Sequence, residues 1–459
     1  MASESDKFFS KEIEYSEEIL KDLFKVKIPL NWNELNRKEK SELVHQWARN
    51  AFPKVPESLI TLTVGLTVDG DSGRSIDEEP EWLDREKFAR GQKFAQENLF
   101  GVFFSILFAL FGLYSFEEGL NPLIITGKSS EPYSAFKRYL STGARFRNWY
   151  TSDLWTKGTS AYNDIRTVRR VHEIIRNKVT AMTEEETNKA TKIKHPWSPT
   201  RNTLVEDFKS ACPAASPGQC PFTMKVPGVN LKKMHQGEMA MTQGGFVGLV
   251  VLFPEALGIH GATDKDLEDY FYVWRCIGYL LGIEDEFNFC RGTCEEIKQR
   301  SRDYLDAWVK PNLRDLTLEW EHMMRVMIAG AENYAGPGSS FERSIFYFAE
   351  LMDIDMPQFR SLLSYRDWIS HYFLKFMVHY AMRFSAVRKF MNAKMNTVMD
   401  TALQFSNEKH VELQEKSSKL LASVRSNRIT ENIFTQYKIF ELSFLFVLLI
   451  SIYKFFITI

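Results

Sequence analysis

The chain of 459 residues is short of cysteine and of net charge, and it has no recognisable hydrolase or nucleotide motif. Five cysteines are too few for a disulfide framework, and the close pairs Cys212/Cys220 and Cys290/Cys294 lack the second Cys or His pair of a zinc site. They read as reduced thiols in a cytosol-facing protein. Charges nearly cancel, 58 basic against 59 acidic, so no global field draws the chain to nucleic acid. HExxH, P-loop and a credible GxSxG elbow are all missing, which removes zinc protease, nucleotide-binding and α/β-hydrolase readings. The N-terminus MASESDKFFSKEIEYSEE is charged and has no apolar core of signal-peptide length.

What the chain does have is aromatic side chains, 36 Phe, 17 Tyr and 10 Trp, enough for a thick core. Period-2 alternation is scarce and 3.6-residue periodicity abundant, so the expected class is all-α. Residues 1–79 read as an N-terminal helical extension and 80–400 as the principal domain. Within that domain, the Pro-, Ser- and charge-rich stretch at about 183–231 reads as an exposed loop insertion. Residues 401–433 read as a polar, helix-prone stalk, and 434–459 as a C-terminal membrane anchor.

Two segments raise the membrane question. Leu99–Phe116 carries no charge but is followed by Glu117 and Glu118 inside a dense globular stretch, and is expected to be a buried core helix. Ile439–Ile459 carries only Glu441 and Lys454, with LSFLFVLLISIY at its centre. This is the pattern of a tail anchor; a terminal amphipathic helix docked on the domain is the other reading.

The chemistry centres on His172. Ile165, Val168, His172, Ile175 and Val179 share one face of a helix over Ser160–Thr180, with Arg166, Arg169, Arg170 and Arg176 around the rest. An imidazole on the inward side must find either a hydrogen bond or a metal. Upstream, in KRYLSTGARF, Arg138, Thr142 and Arg145 recur at i, i+4 and i+7, with Ser141 alongside. By itself that spacing also describes a solvated basic face. The remaining histidines read as loop residues (His195, His235), as residues in polar contexts (His322, His410), or as core residues (His371, His379).

The order of PEWLDREKFARGQKF, Arg-x-x-Ser-Thr, RTVRRVHEIIR, MAMTQGGFVG and YFYVWRCIGYLLGI, over about residues 80–385, resembles one family. It holds the bacterial latex-clearing proteins (rubber oxygenases) and the fungal endoplasmic-reticulum oxygenase that shortens a farnesyl chain in mycophenolic acid synthesis. The resemblance implies an all-α, globin-like haem b domain whose iron is held by His172. It also implies that Arg138 and Thr142, opposite it, manage the oxygen ligand, with Arg138 alternatively pairing a haem propionate. The family motif Arg-x-x-Lys-Thr has Ser141 in place of its lysine, which removes the lysine cap of the resting iron. A catalytic glutamate does not align, and Glu117 and Glu118 are candidates only as the nearest upstream carboxylates. The implied function is oxidative cleavage of a carbon–carbon double bond in an isoprenoid or related lipid by dioxygen, on the cytosolic face of the endoplasmic reticulum. The alternatives are haem-dependent hydroxylation or peroxygenation of a lipid, and a non-catalytic lipid- or partner-binding protein without the cofactor.

Overall fold

The computed structural model describes residues 13–223, 234–335 and 340–426. Among the described residues the fold is all-α, the one strand-like feature being an isolated bridge between Tyr15 and Val68. The chain divides into two compact units, Met1–Gln404 and Phe405–Ile459. The helices of the first unit that matter here are α1 (Arg37–Ala51), α2 (Arg85–Glu97), α3 (Leu99–Leu113), α4 (Glu117–Thr126), α5 (Pro132–Thr151), α6 (Ser160–Thr180) and α7 (Glu184–Ala190). They are followed by α8 (Arg201–Ala211), α9 (Gln236–Leu252), α10 (Asp264–Leu280), α11 (Leu318–Ala335), α12 (Phe341–Leu351), α13 (Tyr365–His379) and α14 (Ser385–Leu403). The second unit holds α15 (Asn407–Arg425), N-capped by Ser406, whose hydroxyl accepts from the Lys409 amide at 3.3 Å. The expected anchor, 434–459, lies outside the described residues.

Local sequence explains where the helices begin. Asn36 and Glu39 exchange side-chain and backbone bonds at the start of α1, a reciprocal cap that satisfies two otherwise orphan amides. Pro132 opens α5 at a position where its missing N–H costs nothing. Thr159 caps α6 by accepting from the Tyr162 amide at 3.2 Å. Residues expected to form a separate N-terminal extension share the core of the first unit: Leu20, Val44, Leu59 and Val64 are fully buried in the same cluster as the later helices.

The core is organised on α3. Phe104, Phe108 and Phe111 run along it, and Phe108 meets Tyr347 at 5.3 Å while Phe111 meets Phe348 at 5.6 Å and Trp320 at 6.0 Å. Trp320 donates its indole N–H to the Phe111 carbonyl at 3.1 Å, so the ring is both packed and satisfied. Among the described residues no single helix is long and apolar enough to cross a membrane. The pair α2–α3 passes that test only together, across an 85° bend, and most of α3 is buried in the core. The bend is held from outside the pair. Asn392 of α14 accepts from the Phe100 amide at 2.9 Å and donates to the Glu97 carbonyl at 2.6 Å, replacing helical bonds that the bend breaks.

Glycines allow close approach at two helix crossings. A Cβ on Gly91 of α2 would lie 2.0 Å from the Asp269 carbonyl oxygen of α10, beside the Arg90–Asp269 ion pair at 2.7 Å. A Cβ on Gly330 of α11 would lie 2.8 Å from the backbone of α5 at Pro132 and Phe136. Only hydrogen fits at either crossing.

The stretch 183–231, expected as an exposed loop insertion, contains α7 and α8, and α8 buries Leu204, Val205 and Phe208. Its irregular part is tied to α11. The Trp197 amide donates to His322 Nδ1 at 2.8 Å, and Ser198 and Thr200 donate to the Glu321 carboxylate at 2.8 and 2.7 Å. Arg325 closes the buried cluster on Glu321 at 2.7 Å. At Ser198 and Thr200 polarity marks internal hydrogen bonding, while most of 183–195 is exposed.

Candidate functional site

Helices α5 and α6 form an antiparallel hairpin. Near its closed end Asn148 donates to Asp164 at 2.8 Å and Arg145 pairs with the same carboxylate at 3.5 Å. Further along, Arg138 of α5 comes within electrostatic reach of His172 on α6. The same register sets Ser141 and Thr142 level with Val168. Thus the two segments singled out in the sequence face one another across one interhelical seam. Residues on this seam keep partial access: Arg138, Ser141, Thr142 and Arg145 of α5, and Val168, His172 and Ile175 of α6, are half-buried, while Ile165 and Val179 at the ends of the α6 stripe are buried.

His172 has no counter-charge of its own. Its Nδ1 is enclosed and has no hydrogen-bond partner among the described residues. Burial, and then the positive charges of Arg176 and Arg138, push its pKa down to about 4, against a small opposing effect of Asp71. The ring is therefore neutral at pH 7 and keeps a lone pair on one nitrogen, the form in which imidazole binds a metal.

The surroundings of His172 are built from the loop before α2. Asp71 accepts from Arg169 Nε at 2.9 Å, and the second guanidinium arm of Arg169 also reaches the Arg74 carbonyl at 2.9 Å. Burial raises the Asp71 pKa, but the Arg169 hydrogen bond, the Gly73 amide and the neighbouring guanidinium charges outweigh it and hold the carboxyl below its usual range. Arg176 pairs with Asp69 at 3.4 Å. This clamp fixes α6 on both sides of His172, and neither acid was singled out in the sequence. Both acids lie in the polar loop VDGDSG, far from α6 in sequence.

Arg138 donates to Ser129 Oγ at 3.1 Å and reaches Thr126 Oγ1 at 3.5 Å. Both are neutral acceptors, so no carboxylate within bonding distance cancels the guanidinium among its described bonds. Two phenols, Tyr114 and Tyr139, lie within reach of its charge. Burial raises both of their pKa values, strongly for Tyr139, and Arg138 offsets part of that rise. The face of α5 turned away from α6 packs against α3. Gly143, next to Thr142, sits so close to Phe103 that a Cβ there would be 3.0 Å from the ring. Glu117 is exposed, and Glu118 acts electrostatically on Cys220; neither is brought to His172 by any described bond.

The other histidines have ordinary roles. His235 is buried and N-caps α9. His260 Nε2 meets the Val378 carbonyl. His322 is buried, with the Trp197 amide and the Ser130 carbonyl as polar partners. His371 pairs with Glu350 at 3.1 Å. None of the cysteines is in a disulfide, and burial pushes the thiol of Cys212 up to about 11 and that of Cys220 to about 12.

Among the described residues no group of three or more His, Cys, Asp or Glu side chains is placed to hold a bare metal ion. A haem iron asks for no such group, since the macrocycle supplies four ligands and the protein one. His172, with its enclosed and unpartnered Nδ1, is the residue that would hold a haem iron, and Arg138 is the guanidinium that would meet a propionate, because Arg145 and Arg176 already pair with Asp164 and Asp69. Compared with known proteins, the chain matches no family model, no curated protein and no solved structure.

Proposed function

We propose that the protein is a haem b-dependent oxygenase that cleaves or oxidises a carbon–carbon double bond in an isoprenoid or related lipid. The observation that carries this reading is His172: a half-buried imidazole, neutral at pH 7, with its enclosed Nδ1 unpartnered and Arg138 across the seam. His172 would hold the iron, and haem b, once bound, supplies the capacity to activate dioxygen.

The chain's own residues do the rest. Arg138, held by Ser129 and Thr126, places a fixed positive charge where an oxygen ligand or a propionate would be stabilised. Thr142 adds a hydroxyl one turn further along α5. Ser141 leaves that side open, because its hydroxyl is too short to reach across as a lysine does. Phe103 and its half-buried neighbours Phe100, Phe104 and Leu107 on α3 offer an apolar surface to a hydrocarbon chain and exclude water from it. The clamp of Asp71 on Arg169 keeps α6, and with it the His172 ring, in place.

On this reading the C-terminal apolar segment anchors the chain in the endoplasmic-reticulum membrane, with the catalytic domain toward the cytosol and the lipid substrate nearby. Removing 434–459 is expected to release the protein from membranes. The activity is tested by incubating haem-loaded protein with polyprenyl lipids under labelled dioxygen. Shortened carbonyl products carrying the label are expected from the native chain and not from His172→Ala or Arg138→Ala. Unaltered lipid with fully haem-loaded protein would reject the activity.

A further inference from the structure

Helix α13 carries aromatic side chains on the side that does not face the core. Its inward side is conventional, with Asp367, His371 and Val378 buried. On the opposite side Tyr365, Ile369, Tyr372, Phe373, Phe376 and Tyr380 all lie exposed, Tyr365 at 91 % and Tyr372 at 61 %. On a helix of 3.6 residues per turn these six positions fall within an arc of about 100°. Just beyond the helix, Phe384 is 69 % exposed, and Phe390 on α14 is 66 % exposed. Scattered exposed apolar residues need no account, but a stripe this long and this aromatic does.

Charge completes the pattern. Between Arg360 and Lys394 there are seven Lys or Arg and one acid, Asp367, in a chain whose overall charge is −1. Asp367 is buried, accepting from the Ser364 amide and hydroxyl at 3.0 and 2.6 Å. Lys375 pairs with Glu350 at the edge of the stripe, and Arg366, Arg383, Lys389 and Lys394 are exposed. Aromatic rings in the middle, tyrosines toward the ends and cations around the rim are what an anionic bilayer surface takes up: the rings enter the headgroup–acyl boundary and the cations meet phosphates.

We propose that the outer face of α13, with Phe384 and Phe390, docks in the plane of an anionic lipid bilayer. This contact is additional to any insertion of the terminal segment and does not depend on the haem reading. A nucleic acid would also meet the cations, but it gives no place for Ile369 and Phe376, which sit on the centre line of the arc.

The test uses the full chain with Phe376→Trp, the native chain being subtracted to isolate the added indole. The probe is a set of vesicles of phosphatidylcholine and phosphatidylserine, with acyl chains brominated near the glycerol end or unbrominated. In unbrominated vesicles the added emission is expected to shift to the blue and to lose its quenching by iodide; in brominated vesicles it is expected to be largely lost. Emission still open to iodide with vesicles present would overturn the proposal. So would emission already shielded before vesicles are added, which is the outcome if the chain's own terminal segment or a second copy covers the face. Failure of the full chain to bind the vesicles would overturn it as well. The readout belongs to this face whether or not the terminus inserts. Tyr372→Trp at the same experiment guards against a local misfolding of the first variant.

Discussion

His172 and His371 each turn an imidazole inward from a long helix, and each has an Nδ1 that is enclosed without a hydrogen-bond partner among the described residues. Their surroundings differ in kind. His371 is 1 % exposed, ringed by Phe346, Tyr347, Trp368 and Tyr372 with centroids at 5.2 to 6.1 Å, and its Nε2 is 3.1 Å from the Glu350 carboxylate. His172 has guanidiniums where His371 has a carboxylate, and burial first, then those charges, lower its pKa to about 4. An acid beside the ring makes the histidine part of the packing. Cations around it make a neutral ring whose lone pair is unclaimed, and they also prepare the ground for an anionic ligand. The lesson is that the sign of the neighbouring charge, more than burial, separates a structural histidine from a candidate ligand.

Several substitutions break or sharpen that contrast. The largest loss is expected from His371→Ala, which leaves a cavity among four rings and strands Glu350. Urea unfolding should show a cost of about 3 kcal/mol, with haem binding unchanged. If it costs no more than His172→Ala, the assignment of the two roles is wrong. Acid comes next. Because the folded pKa of His172 is depressed below its unfolded value near 6.5, the unfolded chain binds the extra proton first. The contribution is whole above that value and is lost as pH falls toward about 4. In haem-free protein the stability difference between the native chain and His172→Gln should therefore shrink by roughly 2–3 kcal/mol from pH 7 to pH 4. A difference independent of pH would mean that the ring is not buried against cations.

Asn392→Ala is expected to cost about 1–2 kcal/mol by leaving the backbone groups of the α2–α3 bend unsatisfied, measured by thermal or urea unfolding. It touches the α3 packing behind the seam without touching either histidine. The smallest effect is that of Arg138→Gln. Removing one of the two cations raises the His172 pKa, which is read by NMR titration of the ring in haem-free protein, and changes stability at pH 7 by less than about 1 kcal/mol. An unchanged pKa would show that Arg138 does not face His172.

Much of this architecture was legible in the chain. The helix expected over Ser160–Thr180 is present with those bounds, because periodicity and caps are local properties. The resemblance set Arg138 opposite His172, and the two come within electrostatic reach of one another. The acids beside His172 did not: Asp71 is 98 residues from Arg169, and no local pattern links a polar loop to a helix that distant. For the same reason 197–200 passed for an exposed loop until its bonds to Glu321 and His322 were seen. The aromatic face of α13 was hidden differently. HYFLKFMVHY has rings enough for two faces, and composition alone assigns them all to the core, whereas only the placement of His371 and Val378 shows which side is inward.

The central claim rests on His172 as an iron ligand, and absorbance of the purified full-length protein tests it most directly. The native chain, expressed with haem supplied, is expected to show a Soret band that shifts on reduction with dithionite and again with carbon monoxide. His172→Ala, folded by circular dichroism, should lose that band, while His371→Gln should keep it. A colourless native protein that is fully folded, or a Soret band undiminished in His172→Ala, would contradict the account.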